Sequence, residues 1–142
     1  MIISIKHFFT AALLSVFMAS MSLSVSAAES LVCKFPSGMV HTFENEVFQN
    51  APANPLSFEI GDIDLRAQSA SLVTAKGKGN LKIVRAIGAN HYLEVITEGY
   101  LNVTTIYDGE ASDGSFPAVH SRHIGLLGTP VVSQYYGTCK AK

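Results

Sequence analysis

Residues 80–107 read NLKIVRAIGANHYLEVITEGYLNVTTIY and contain three runs with a β-strand pattern. The runs are Asn80–Ile87, His91–Thr97 and Tyr100–Tyr107, and short glycine-containing segments separate them. Apolar and polar residues alternate within the runs, as in strands that bury one face. Strands of this period joined by short glycine turns are typical of an antiparallel meander. The stretch therefore predicts three consecutive antiparallel strands.

The same pattern extends to both sides of this stretch. Further strand-like runs lie at Leu31–Phe35, Met39–Phe48, Leu56–Leu65, Ser69–Ala75, Val119–Ile124 and Val131–Cys139. Turn residues separate them, including the segment Lys76-Gly77-Lys78-Gly79, which we interpret as a turn. Short strands at regular intervals with turn signals between them indicate an all-β domain. We expect eight or nine strands, all antiparallel.

Two cysteines, Cys33 and Cys139, lie in the first and last predicted strands. The N-terminal segment, described in the next paragraph, has the pattern of an export signal. An even number of cysteines in an exported chain predicts a disulfide, and two cysteines allow one intramolecular pairing. The bond would bring the two ends of the meander together. Closing the sheet removes its unpaired edges, which favours a small up-and-down barrel. A two-layer β-sandwich with joined ends is the alternative.

The N-terminal segment has the pattern of an export signal. Lys6 precedes the apolar run Phe8–Val25, and the small residues Ser26 and Ala27 complete a cleavage site. We therefore predict a signal peptide at residues 1–27 and a single β domain at residues 28–142, located in the periplasm or secreted. An uncleaved membrane anchor is the alternative. No later apolar run approaches the length of a membrane span, so no span is expected after cleavage.

The charge of the chain excludes several classes of partner. Ten Lys and Arg residues balance eleven Asp and Glu residues, the formal net charge is −1, and no basic block occurs. Nucleic-acid binding requires a basic surface, and binding to anionic lipid requires a polybasic segment. The expected partner is therefore an unknown small ligand or another protein of the cell envelope.

The C-terminal third contains the highest concentration of chemically capable side chains. His120 and Arg122 share one face of a predicted strand, and Gln134 and Tyr136 share one face of the next. In a suitable register these four side chains meet, and we predict that a binding site, if the protein has one, lies around them. Arg122 would hold an acidic group bidentately. His120 would add pH dependence near its ordinary pKa of about 6.5.

A purely structural interpretation of Arg122 remains open. In this interpretation the guanidinium pairs with a carboxylate of the protein itself, such as Glu94 or Asp108. The substitution Arg122→Ala distinguishes the two, because loss of a structural ion pair would lower the thermal stability of the protein.

Neither a metal site nor a catalytic set is predicted. His120 and His123 would point to opposite faces of a strand, and no CxxC or CxxH spacing occurs. Ser121 and Ser133 have no linked base, and Asp62 with Asp64 form the pattern of a solvated strand edge. We therefore predict no metal, no cofactor and no catalytic residue.

The segments VHSRH at residues 119–123 and SQYYGTC at residues 133–139 resemble the ending of some small, uncharacterised exported bacterial proteins. The resemblance covers mainly this C-terminal part and implies no activity.

The residues leave three classes of function. The first is a small exported binding or interaction module, and the second is a structural or stress-related envelope protein without a small-molecule site. A hydrolase has the least support, because no nucleophile, base and metal are linked in the sequence.

Overall fold

The computed structural model describes residues 29–97, 100–125 and 128–142. The predicted signal peptide and its cleavage site lie outside these residues. The strands are β1 (Glu29–Glu44), β2 (Val47–Pro52), β3 (Leu56–Asp64), β4 (Ser69–Thr74), β5 (Gly77–Ala86), β6 (Ala89–Thr97), β7 (Tyr100–Tyr107), β8 (Ser115–Ile124) and β9 (Val131–Ala141). The all-β prediction is confirmed. No helix in the described ranges is long and apolar enough to cross a membrane.

The strands form one antiparallel sheet that closes on itself. The order is β2-β1-β3-β4-β5-β6-β7-β8-β9, and β1 also pairs with β9. Eight strands thus make a barrel, while β2 pairs with the C-terminal half of β1 as an additional strand. The predicted barrel is confirmed in preference to the sandwich.

The disulfide joins the two strands that close the barrel. Cys33 on β1 lies directly opposite Cys139 on β9, and the two residues are bonded. Both are fully buried. The predicted pairing is confirmed, and the bond fastens the barrel between its first and last strands.

The first two strands differ from the sequence prediction. The prediction separated two strands around Pro36, whereas β1 continues through Pro36 to Glu44. The chain instead reverses at Asn45 and Glu46, which have positive φ angles of 50° and 65°. Pro36 is tolerated because the β1–β9 register shifts between Lys34 and Ser37, and prolines are accepted at such bulges. The turn lacks glycine, and for this reason the sequence pattern did not reveal it.

Gly137 allows β9 to pass close to this bulge. A Cβ atom at this position would overlap the carbonyl oxygen of Lys34 and would lie 2.7 Å from the Cα of Phe35. Both neighbours are backbone atoms, which cannot move aside as a flexible side chain can. Glycine at position 137 therefore permits the close approach of β1 and β9 next to the disulfide.

Aromatic side chains fill the middle of the barrel. The imidazole ring of His120 lies 5.1 Å from the ring of Phe58, 5.8 Å from Phe35 and 5.9 Å from Tyr135, measured between ring centroids. The remaining core is mainly aliphatic, with Leu31, Ile60, Leu81, Ile83 and Ile106 among its buried side chains. The interior is thus packed at its centre, and open space remains towards the ends.

Candidate functional site

A cavity of about 580 Å³ lies at the end of the barrel that contains the turn between β4 and β5. We call it the mouth cavity. Its lining residues are Leu72, Thr74, Lys76, Gly77, Lys78, Gly79, Glu94, Tyr100, Asn102, Arg122 and Ile124. Aliphatic and aromatic surface therefore surrounds a small number of charged and amide groups, as in many ligand sites.

Two glycines of β5 contribute to the space in the mouth cavity. The sequence placed residues 76–79 in a turn, but the turn consists of Ala75 and Lys76, and β5 begins at Gly77. Gly77 and Gly79 have the same parity as the buried residues Leu81 and Ile83, so they occupy inward positions. Because these positions carry no side chain, the end of the barrel stays open where its centre is filled.

Arg122 lies in the wall of the mouth cavity and is half-buried. Its Nε donates a hydrogen bond to Nε2 of His120 at 3.2 Å. Its guanidinium carbon lies 5.4 Å from the centroid of the Tyr135 ring, within the range of a cation–π contact. Among the described residues, no carboxylate oxygen lies within 4.0 Å of Arg122. His120 and Tyr135 thus hold the guanidinium in position, and no carboxylate of the described part of the chain serves as its counterion.

His120 acts as a neutral support for Arg122. Because the Arg122 Nε–H donates to Nε2, the imidazole proton is on Nδ1, which donates to Oγ1 of Thr104 at 2.8 Å. Burial and the adjacent Arg122 lower the pKa of His120 to about 4. The expected pH dependence near 6.5 is therefore wrong for this group, since the folded protein keeps the ring neutral at that pH.

The four predicted site residues do not meet on one face. The register pairs His120 with Tyr135 and Ser121 with Gln134, so Gln134 and Tyr136 lie on the outer face of β9. There the Tyr136 hydroxyl donates to Oε1 of Gln134 at 2.8 Å, and both side chains are exposed. The predicted convergence is wrong because a register difference of one residue moves a side chain to the other face of a sheet.

The inward-facing residues of β9 opposite His120 and Arg122 are Tyr135 and Ser133. The register pairs Tyr135 with His120 and Ser133 with Arg122, and both β9 residues are buried. Sequence reasoning missed both residues as neighbours of Arg122. The alternation along β9 separated the two faces correctly but did not show which of them faces inward.

Glu94, Asn102 and Arg122 form a row across three neighbouring strands. Glu94 on β6 pairs with Asn102 on β7, which pairs with Arg122 on β8. The Asn102 Nδ2 donates to Oε2 of Glu94 at 2.8 Å. Sequence reasoning treated Glu94 only as an ion-pair partner of Arg122, and the two form no ion pair within 4.0 Å. Asp108, the other proposed partner, lines a separate cavity of about 150 Å³ together with Tyr92.

Asn102 was missed for a physical reason that also applies to Thr104. The sequence pattern suggests that Leu101 and Val103 form the buried face of β7, because that face is more apolar. In the structure Asn102 and Thr104 are buried, and Leu101 is 38% exposed. The polar face of β7 thus faces the interior, where hydrogen bonds to Glu94 and His120 satisfy it.

The other chemically capable side chains have separate locations. His123 is exposed on β8, and the described ranges contain no group of three or more His, Cys, Asp or Glu residues that could hold a metal ion. Asp62 forms an ion pair with Lys78 at 3.0 Å. Oδ1 of Asp64 accepts hydrogen bonds from the backbone N–H groups of Arg66 and Ala67. The two carboxylates thus have interactions of their own and do not form a joint site.

Comparison with known proteins adds no assignment. No model of a known protein family matches the chain, and no curated protein matches it. The geometry of the mouth cavity therefore carries the functional assignment by itself.

Proposed function

We propose that the protein is an exported barrel that binds a small acidic molecule with an apolar part in the mouth cavity. The observation that carries the proposal is Arg122, a half-buried guanidinium in the cavity wall without a carboxylate partner among the described residues. Leu72, Tyr100 and Ile124 provide apolar surface beside it. A volume of about 580 Å³ falls within the range of small-molecule sites, about 300–1,000 Å³.

The charge of the half-buried Arg122 is unpaired among the described residues. Removing a charged group partly from water is unfavourable unless a partner compensates for it. The bond from Arg122 to His120 and the contact with Tyr135 hold the guanidinium in one position before any ligand arrives. A bound carboxylate would supply the missing counter-charge through charge-assisted hydrogen bonds. This preorganisation supports a binding role over a purely structural one.

Export is part of the same proposal. The charged start, the apolar run and the small-residue site of residues 1–27 support it, and the disulfide between Cys33 and Cys139 is consistent with an oxidising compartment. We expect N-terminal sequencing of the protein from the cell-envelope fraction to begin at or near Ala28. An intact Met1 on that protein would contradict the signal peptide.

The binding proposal can be tested with 1-anilinonaphthalene-8-sulfonate, a fluorescent anion with an apolar ring system. We expect the wild-type protein to bind it and Arg122→Gln to weaken binding by about tenfold or more, because a charge-assisted hydrogen bond contributes roughly 1.5–3 kcal/mol. Fluorescence titration measures the affinities, and thermal denaturation shows whether the variant is folded.

Arg66→Gln is the matched control for this experiment. Arg66 lies in the exposed turn between β3 and β4, remote from the mouth cavity, and the substitution removes the same charge. We expect its affinity to equal that of the wild-type protein. Equal binding by all three proteins, or none by the wild-type protein, would contradict the proposal. A large loss of thermal stability in Arg122→Gln without a change in affinity would instead favour a structural envelope protein.

A further inference from the structure

The second charged group of the mouth cavity is Glu94. It is half-buried, and Oε2 accepts a hydrogen bond from Asn102. No Lys or Arg nitrogen of the described residues lies within 4.0 Å of its carboxylate, and Lys78 is engaged with Asp62. The mouth cavity is lined by one anionic side chain, Glu94, and by three cationic ones, Lys76, Lys78 and Arg122. The two lysines are exposed, whereas Glu94 and Arg122 are half-buried and have no counterion in the described part of the chain.

Asn102 keeps these two charges apart. It occupies the position between Glu94 and Arg122 in the row across β6, β7 and β8. Two strand spacings separate the backbones of the outer two residues by about 10 Å. The Nε bond to His120 and the contact with Tyr135 also direct Arg122 towards the centre of the barrel. Opposite charges that could have neutralised each other are thus held separately, and both line the same cavity.

Gly79 accommodates the carboxylate of Glu94. A Cβ atom on Gly79 would lie 3.0 Å from Oε1 of Glu94, which is closer than ordinary van der Waals contact. The inward glycine therefore leaves space for the oxygen that Asn102 does not bind. This oxygen can accept a hydrogen bond from a group in the cavity.

We infer that the mouth cavity selects a zwitterion of the amino-acid type with an apolar side chain, an inference that depends on the proposed binding function. The ligand carboxylate would bind the guanidinium of Arg122, and its ammonium group would donate to Oε1 of Glu94. The apolar side chain would contact Leu72, Tyr100 and Ile124. Such a ligand neutralises both charges, whereas a simple anion leaves Glu94 unpaired and introduces a second negative charge near it.

Three probes of similar shape test this inference by calorimetric titration: L-phenylalanine, 3-phenylpropanoate without the ammonium group, and 2-phenylethylamine without the carboxylate. We expect the wild-type protein to bind L-phenylalanine at least about tenfold more tightly than either analogue. Glu94→Gln should abolish the preference of L-phenylalanine over 3-phenylpropanoate. Gly79→Ala should weaken L-phenylalanine binding selectively, because it displaces the carboxylate without changing its charge.

Glu110→Gln is the matched control, because Glu110 is exposed outside the mouth cavity and carries the same charge. It should retain the wild-type preference. The inference is overturned if 3-phenylpropanoate binds as tightly as L-phenylalanine, if Glu94→Gln keeps the preference, or if none of the three probes binds. Binding of anilinonaphthalene sulfonate that depends on Arg122 would then leave the proposed function standing. If that binding is also absent, both proposals fail.

Discussion

Replacing both Cys33 and Cys139 by alanine is expected to lower the free energy of unfolding by about 2–5 kcal/mol. The bond links residues that are 106 positions apart, so it restricts nearly the entire described chain in the unfolded state. Alanine is the suitable replacement, because both positions are fully buried and a serine hydroxyl would require a hydrogen-bond partner. Chemical denaturation monitored by circular dichroism measures the change.

Reduction of the wild-type protein is the control for this prediction. A reducing agent should lower the unfolding midpoint of the wild-type protein and leave that of the double alanine variant unchanged. If the oxidised and reduced wild-type proteins unfold at the same denaturant concentration, the disulfide does not contribute the expected stability.

Acidification is expected to destabilise the protein by about 3 kcal/mol through His120 alone. Its pKa falls from the ordinary value of 6.5 to about 4 in the folded protein, because burial and Arg122 oppose the charged form. Above pH 6.5 the imidazole is neutral in both states, so stability does not change. Between pH 6.5 and about 4 the unfolded chain binds a proton that the folded protein excludes, and stability falls. Below about pH 4 both states are protonated and the loss is complete.

The variant His120→Gln isolates this contribution. Its amide can accept a hydrogen bond from Arg122 and donate one to Thr104, but it does not titrate. Hydrogen bonds from Lys78 and Ser115 lower the pKa values of Asp62 and Asp113 from 3.8, and these exposed groups act at lower pH in both proteins. Urea unfolding at pH 7, 5.5 and 4 should show a smaller loss for His120→Gln. If the free energy of unfolding falls equally with pH in the wild-type protein and in His120→Gln, His120 does not cause the loss.

The neutral state of His120 also bears on ligand binding. As long as the ring is neutral, Nε2 accepts the hydrogen bond that holds Arg122 in position. With a pKa of about 4, this acceptor stays intact throughout the range in which the sequence predicted its titration. His120 therefore acts as a positioning residue for Arg122 at neutral pH.

Much of the fold could be predicted from local patterns. The runs at Asn80–Ile87, His91–Thr97 and Tyr100–Tyr107 correspond to β5, β6 and β7, because a period of two and short turns are properties of a few neighbouring residues. The two cysteines indicated closure, because one bond between terminal strands brings the ends of a meander together. The predicted strand break at Pro36 was wrong, because β1 continues through this residue. Pro36 is accommodated by a bulge that depends on the partner strand β9, and local patterns do not show it.

The candidate site could be predicted only in part. Local patterns singled out His120 and Arg122 and placed them on one strand face, but they did not show that this face is the interior. That choice depends on the pairing of β8 with β7 and β9, which places Asn102 beside Arg122 and excludes Gln134.

The sequence by itself therefore determined the class of fold, the strand number to within one, and the disulfide, all of which follow from short-range alternation and from the cysteine count. The tertiary structure alone decided which polar residues face the mouth cavity. The physical reason is that alternation defines two faces for each strand, whereas closure of the barrel selects which face is enclosed. For β7 it enclosed the more polar face, because Glu94 and His120 on neighbouring strands satisfy the hydrogen bonds of Asn102 and Thr104.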